Sequence, residues 1–152
     1  MISVEVAMHD SERLLLENQL CFALHSTSLA MTQLYKEHLE AIGLTYTQYT
    51  VMLVLWEKDN LTLKEIADRL RQKSGSLTPV IKRMENEGLV RRCRGIEDDR
   101  SLSIQLTDKG HKLREQGLEV NRCVSGASGM SYDDMRELKD KLVRIREIIS
   151  KK

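Results

Sequence analysis

Residues 61–106 read LTLKEIADRLRQKSGSLTPVIKRMENEGLVRRCRGIEDDRSLSIQL, and their spacing decides the fold. Leu63, Ile66, Ala67 and Leu70 recur at three- and four-residue intervals behind Thr62, with Glu65 at the capping-box position, so a short amphipathic helix starts there. A second helix begins within 74–78, takes Pro79 in its first turn and ends at Gly88. Leu89 to Arg94 and Ser101 to Leu106 read as antiparallel strands joined by 95–100. Two short helices followed by a thin ribbon fit a major groove and the minor groove beside it, so the stretch predicts a winged helix-turn-helix that binds double-stranded DNA.

The totals agree with that class. A chain of 152 residues holds one domain with helical extensions, and a 41% hydrophobic content can supply its core. Proline occurs once and helical spacing is widespread, so the fold is expected to be mostly α with a small β-ribbon wing. A net charge of +1 argues against a polybasic coating protein, whereas residues 64–100 concentrate ten Lys/Arg against seven Asp/Glu. The opening MISVEVAMHDSER lacks a secretory pattern, and the longest apolar run, Val51 to Trp56, is too short to span a bilayer. Cys21, Cys93 and Cys123 form no CxxC pair. A cytoplasmic protein with reduced thiols, without metal, cofactor or membrane attachment, is therefore expected.

The flanks carry longer helical patterns. Leu16, Leu20, Leu24, Met31, Leu34 and Leu39 mark Ser11 to Ala41 as one helix of about 45 Å, closed by Gly43. A helix from Thr45–Thr47 to Glu57 follows. Thr107 and Asp108 cap another that runs to about Val124, Ser125 to Ser131 is a flexible break, and Met135, Leu138, Leu142, Ile145 and Ile149 form a near-heptad seam. Residues 1–45 and 107–152 thus read as a dimerisation region around a DNA-binding domain at 46–106. A homodimer would present two recognition helices about 34–36 Å apart.

Within the module, Ser74, Ser76 and Thr78 can meet phosphates or base edges, and Lys82 and Arg83 follow one turn later. Taken singly, each hydroxyl is as well explained by helix capping and each cation by solvation. At the wing, Arg94 and Arg100 can enter the minor groove, with Asp98 placed to hold the Arg100 guanidinium. An ordinary hairpin loop with a surface ion pair is the alternative.

SGSLTPVIKRMENEGLVRR followed by DDRSLSIQLTDKG resembles the MarR family of winged helix-turn-helix repressors, whose wing carries a D-x-R element before its last strand. The resemblance places Asp98 and Arg100 in the wing pair and Ser74 to Arg83, Pro79 included, in the recognition helix. NQLCFALHSTSLAMTQLYKEHLEAIGLTYTQYTVMLVLWE is similar to the organic-hydroperoxide-resistance branch (OhrR) of that family. It implies that Cys21 is a peroxide-sensing thiol, that Tyr35 and Tyr46 hydrogen-bond it, and that Cys123 resolves its sulfenic acid as an intersubunit disulfide. An organic hydroperoxide would be the inducer, and a palindromic operator the target.

Geometry constrains that implication. Cys21 and Tyr35 are fourteen positions apart, about 21 Å along a straight helix, so a phenol can reach the thiol only from a second copy. His25, one turn after Cys21, either polarises the thiol or simply packs, and Cys93 reads as structural. The rival classes are a repressor released by a reversibly bound apolar or phenolic ligand, a helical interaction module without DNA, and a thiol peroxidase. No thioredoxin-like βαβ pattern surrounds Cys21 to support the last.

Overall fold

In the computed structural model, residues 9–94 and 102–151 are described. The chain runs α1 (Asp10–Arg13), α2 (Leu20–Leu39), α3 (Tyr46–Glu57), β1 (Leu61–Thr62), α4 (Leu63–Leu70), α5 (Ser74–Asn86), β2 (Val90–Arg94), β3 (Leu102–Leu106), α6 (Asp108–Lys112), α7 (Arg114–Ala127) and α8 (Tyr132–Ser150). Short 3₁₀ turns occupy Leu16–Asn18 and Glu40–Ile42.

Helix α3 is the pillar of the core. Tyr49, Val51, Met52, Val54 and Leu55 are buried around it, against Leu39, Ile66, Leu77, Ile81, Met84 and Ile104 from neighbouring elements. Its N-terminus is closed by a full capping box, with Thr45 Oγ1 accepting from the Gln48 N–H and Gln48 Oε1 accepting from the Thr45 N–H. Gln48 is 2% exposed and is tolerated there because its amide also reaches Glu87, at 3.4 Å. Thr62, Thr107 and Ser131 cap α4, α6 and α8, each side-chain oxygen accepting from the backbone N–H three residues on. Gly43 and Gly88 end helical segments at positive φ, a conformation that glycine adopts without strain.

The sheet has three strands in the order β1-β3-β2, all antiparallel, with Leu61 opposite Ile104 and Val90 opposite Leu106. The two-residue β1 escapes the expected ribbon because it is too short to show alternation. Asp59 Oδ1 ties it down by accepting from the Asn60 and Leu106 N–H groups at 2.8 and 2.9 Å.

Four local expectations are corrected. The single helix over 11–41 is broken between Arg13 and Leu20, because the side-chain amides of Asn18 and Gln19 donate back to the carbonyls of Glu12, Arg13 and Leu15. The helix from Thr107 is divided at Leu113. There the Trp56 indole N–H donates at 2.9 Å to the Gly110 carbonyl, the acceptor a continuous helix would offer to the Arg114 N–H. Ser125 to Ala127 are helical, so only Ser128 to Ser131 break the chain. Pro79 is the sixth residue of α5 and lies in its second turn, not its first.

Little of α2 or α8 is covered. Leu39 is the one buried residue of α2, and α8 has none. Leu20, Phe22, Leu24, Leu29 and Met31 on α2 and Leu138, Ile148 and Ile149 on α8 are exposed. No helix among the described residues is long and apolar enough to cross a membrane.

Candidate nucleic-acid interface and thiol–phenol site

The proposed DNA-reading residues lie on the outer face of α5. Leu77, Ile81 and Met84 turn inward, while Ser76, Thr78, Pro79, Lys82 and Arg83 are exposed and Ser74 is half-buried. No side chain caps α5, since its N-cap is Lys73, so first-turn N–H groups remain available for a phosphate. Ser74 is therefore the first helical residue rather than a cap. The Thr78 hydroxyl donates at 3.1 Å to the Ser74 carbonyl. Arg83 pairs with Glu87 at 3.3 Å, whereas Lys82 forms no ion pair among the described residues.

Arg94 is exposed at the end of β2. Asp98 and Arg100 lie outside the described residues. Arg92, which sequence reasoning passed over, joins the wing to α5: its guanidinium meets Glu85 at 2.9 Å, and its N–H donates to the same carboxylate. The pairing holds the Glu85 carboxyl below its ordinary range. Recognition helix and wing are thus braced as one surface.

Outside the helix-turn-helix, Cys21 is exposed and is the second residue of α2. Tyr35, far along the same helix, meets Tyr46 of α3 edge-on at 5.6 Å between ring centroids. Burial raises the Tyr35 phenol above its usual range, and the Asn121 side chain partly offsets that rise. An apolar groove of about 590 Å³ runs between α2 and α8, from Leu20 beside Cys21 to Tyr46. Cys123 is half-buried near the end of α7 and its thiol donates to Glu119 at 3.7 Å, while Cys93 is half-buried on β2; all three cysteines are free. His25 is exposed on the single chain. One chain brings Tyr35 and Tyr46 together but does not bring Cys21 to them.

A family model for SarA/Rot transcriptional regulators matches residues 33–116. The organic hydroperoxide resistance transcriptional regulator of Bacillus subtilis is 42% identical over 137 residues, which cover 90% of this chain and 93% of that protein. This chain is a MarR-type winged-helix transcription regulator. Among solved structures, AbfR of Staphylococcus epidermidis superimposes with a TM-score of 0.79 at 36% identity, covering 93% of this chain and 98% of its own. Reduced AbfR bound to DNA gives a TM-score of 0.77 at 36% identity, with coverage of 93% and 99%. Disulfide-formed AbfR gives 0.67 at 35%, with coverage of 93% and 97%. The regulator therefore adopts a fold that binds DNA, and its mostly helical architecture with a small antiparallel sheet is that of the family.

Proposed function

We propose that this regulator is a dimeric repressor that holds a palindromic operator when reduced and releases it when an organic hydroperoxide oxidises Cys21. The observation that carries the reading is the exposed Cys21 at one end of an uncovered apolar helix, with a ready phenol pair toward the other end. A two-fold axis near the middle of α2 would exchange the two ends, laying Cys21 of each copy beside Tyr35 and Tyr46 of the other. The midpoint is lined by the small residues Ser26, Thr27, Ser28 and Ala30, which allow two backbones to approach closely. Residues 1–45 and 107–152 would supply the dimer region, and 46–106 the DNA-binding module.

The chemistry requires no further cofactor. The Cys21 thiolate attacks the distal peroxide oxygen, the O–O bond breaks, and the alkoxide leaves as alcohol after taking up a proton. The resulting sulfenic acid condenses with the Cys123 thiol of the other chain, giving a disulfide and water. Linking the copies in this way would shift the two modules away from the operator spacing. The described conformation lies nearer the reduced DNA-bound AbfR fold than the disulfide form, which supports reading it as the binding-competent state.

Titration with cumene hydroperoxide followed by non-reducing electrophoresis tests the assignment. A covalent dimer that disappears in both Cys21→Ser and Cys123→Ser supports it. A covalent dimer that survives in Cys21→Ser overturns it.

A further inference from the structure

Glu87 is a carboxylate in an unfavourable place. It is the C-cap of α5, where the carbonyl end of the helix dipole disfavours negative charge, and it stands beside the face proposed to meet a polyanion. The Lys109 ammonium donates to the Glu87 carbonyl at 3.0 Å and offsets part of that cost. Helix stability does not explain the residue.

Its side chain has two partners, one on each oxygen. Oε2 accepts from Nε2 of Gln48 at 3.4 Å, and Oε1 accepts from Nε of Arg83 at 3.3 Å. Gln48 is 2% exposed, and its own Oε1 is held by the Thr45 N–H in the α3 capping box. The amide that meets Glu87 is therefore fixed to the core. The Glu87 side chain is 35% exposed and that of Arg83 is 72% exposed. Order thus runs outward, from a buried amide through a partly covered carboxylate to a guanidinium in solvent.

An exposed ion pair of this spacing contributes little to stability. What it fixes is direction. Guanidinium is a planar fork of five N–H donors. Using Nε leaves the Nη1/Nη2 edge, which forms no hydrogen bond among the described residues. That edge carries the paired donors that match O6 and N7 of guanine. Arg83 is the tenth residue of α5, on the outer face one turn past Pro79 and two past Ser76. A side chain this long loses much rotamer freedom when it binds, and a partner that places it beforehand reduces the cost.

The geometry points to Glu87, fixed by Gln48, as a positioning residue that presents the Nη1/Nη2 edge of Arg83 to a guanine in the major groove. The inference rests on α5 being the DNA-reading helix and is independent of the thiol chemistry. It makes Glu87 a determinant of sequence preference that acts through Arg83.

The test compares the affinities of the full-length reduced protein for a duplex it selects from random sequence and for an unrelated duplex of equal length, by anisotropy at one salt concentration. Arg83→Ala should lower the ratio of the two affinities roughly tenfold, within the discrimination one two-donor base contact provides. Glu87→Ala should lower it roughly fivefold, an ordinary coupling between side chains in contact. Its affinity for the unrelated duplex should not fall, because a negative charge has been removed. Glu87→Gln, which keeps an oxygen for the Arg83 Nε–H, should recover most of the ratio. In the Arg83→Ala background, Glu87→Ala should change the ratio no further. Tighter binding of Glu87→Ala to both duplexes at an unchanged ratio overturns the assignment, since the carboxylate would then only repel phosphates. A loss of equal size with and without the Arg83 guanidinium overturns it as well, since Glu87 would then act through the fold. If Arg83→Ala weakens both duplexes alike, the base contact fails while α5 remains a phosphate-binding helix. A parent that selects no sequence overturns the reading of α5 itself.

Discussion

Replacing Gly117 by alanine tests how firmly α7 is clamped against α3. A Cβ at this position would sit 2.6 Å from Cη2 and 2.8 Å from Cζ3 of Trp56, well inside normal carbon–carbon contact. The indole cannot swing aside freely, because its Nε1–H is bonded to the Gly110 carbonyl at 2.9 Å and its ring stands edge-on to Tyr49. Overpacking of this kind costs about 1–3 kcal/mol, and a lost hydrogen bond about 0.5–1.5 kcal/mol more. Alanine returns about 1 kcal/mol through helix propensity. The net expectation is a loss of about 1–3 kcal/mol, read as a lowered midpoint in urea unfolding at fixed protein concentration. Gly126→Ala on the same helix is the internal control, since an added Cβ there meets nothing within 4 Å. It should be neutral or gain up to about 1 kcal/mol. If the two variants unfold at the same midpoint, Trp56 does not pin α7, and the explanation offered for the division at Leu113 fails with it.

Two further outcomes are expected. Lys82→Ala should weaken duplex binding and lower the slope of log K against log salt by about 2, one phosphate contact for each of two copies; anisotropy titrations from low to moderate salt would read it, and an unchanged slope would remove Lys82 from the interface. At high pH, the Tyr49 phenol, raised by burial, makes the folded state hold its proton while the unfolded chain releases one. Its contribution to stability is therefore complete below the ordinary phenol value of 10.0 and is lost as pH rises toward about 12. Tyr35 shifts in the same direction. Unfolding midpoints measured from pH 9 to 11.5 should fall more steeply for the parent than for Tyr49→Phe, and parallel curves would contradict the Tyr49 environment described above.

Local signals in the chain foretold the local events. Thr45, Thr62 and Thr107 read as helix starts, and Gly43 and Gly88 as helix ends, because capping and positive φ act within a few residues. What spacing did not foretell depends on distant or indirect partners. The division at Leu113 involves an indole 54 positions away from Gly110. The break before Leu20 comes from two side-chain amides rather than from Gly or Pro. Strand β1 exists only because β3 is there to pair with it.

The site divides along the same line. The face of α5 was readable from hydroxyls and cations alternating with Leu77, Ile81 and Met84. Cys21, Tyr35 and Tyr46 were legible only through resemblance, since a helix with one cysteine and two tyrosines has no chemical signature of its own. Arg92 gave no signal in the sequence, because its pairing with Glu85 arises from β2 returning to α5.

The decisive measurement is fluorescence anisotropy of a duplex selected by this protein from random sequence, followed while cumene hydroperoxide is added to the bound regulator. Anisotropy should fall to the free-duplex value for the parent, recover on reduction with dithiothreitol, and hold steady for Cys21→Ser, which should bind the duplex as tightly beforehand. A Cys21→Ser protein that lets go of its duplex on peroxide addition as readily as the parent would contradict the account at its centre.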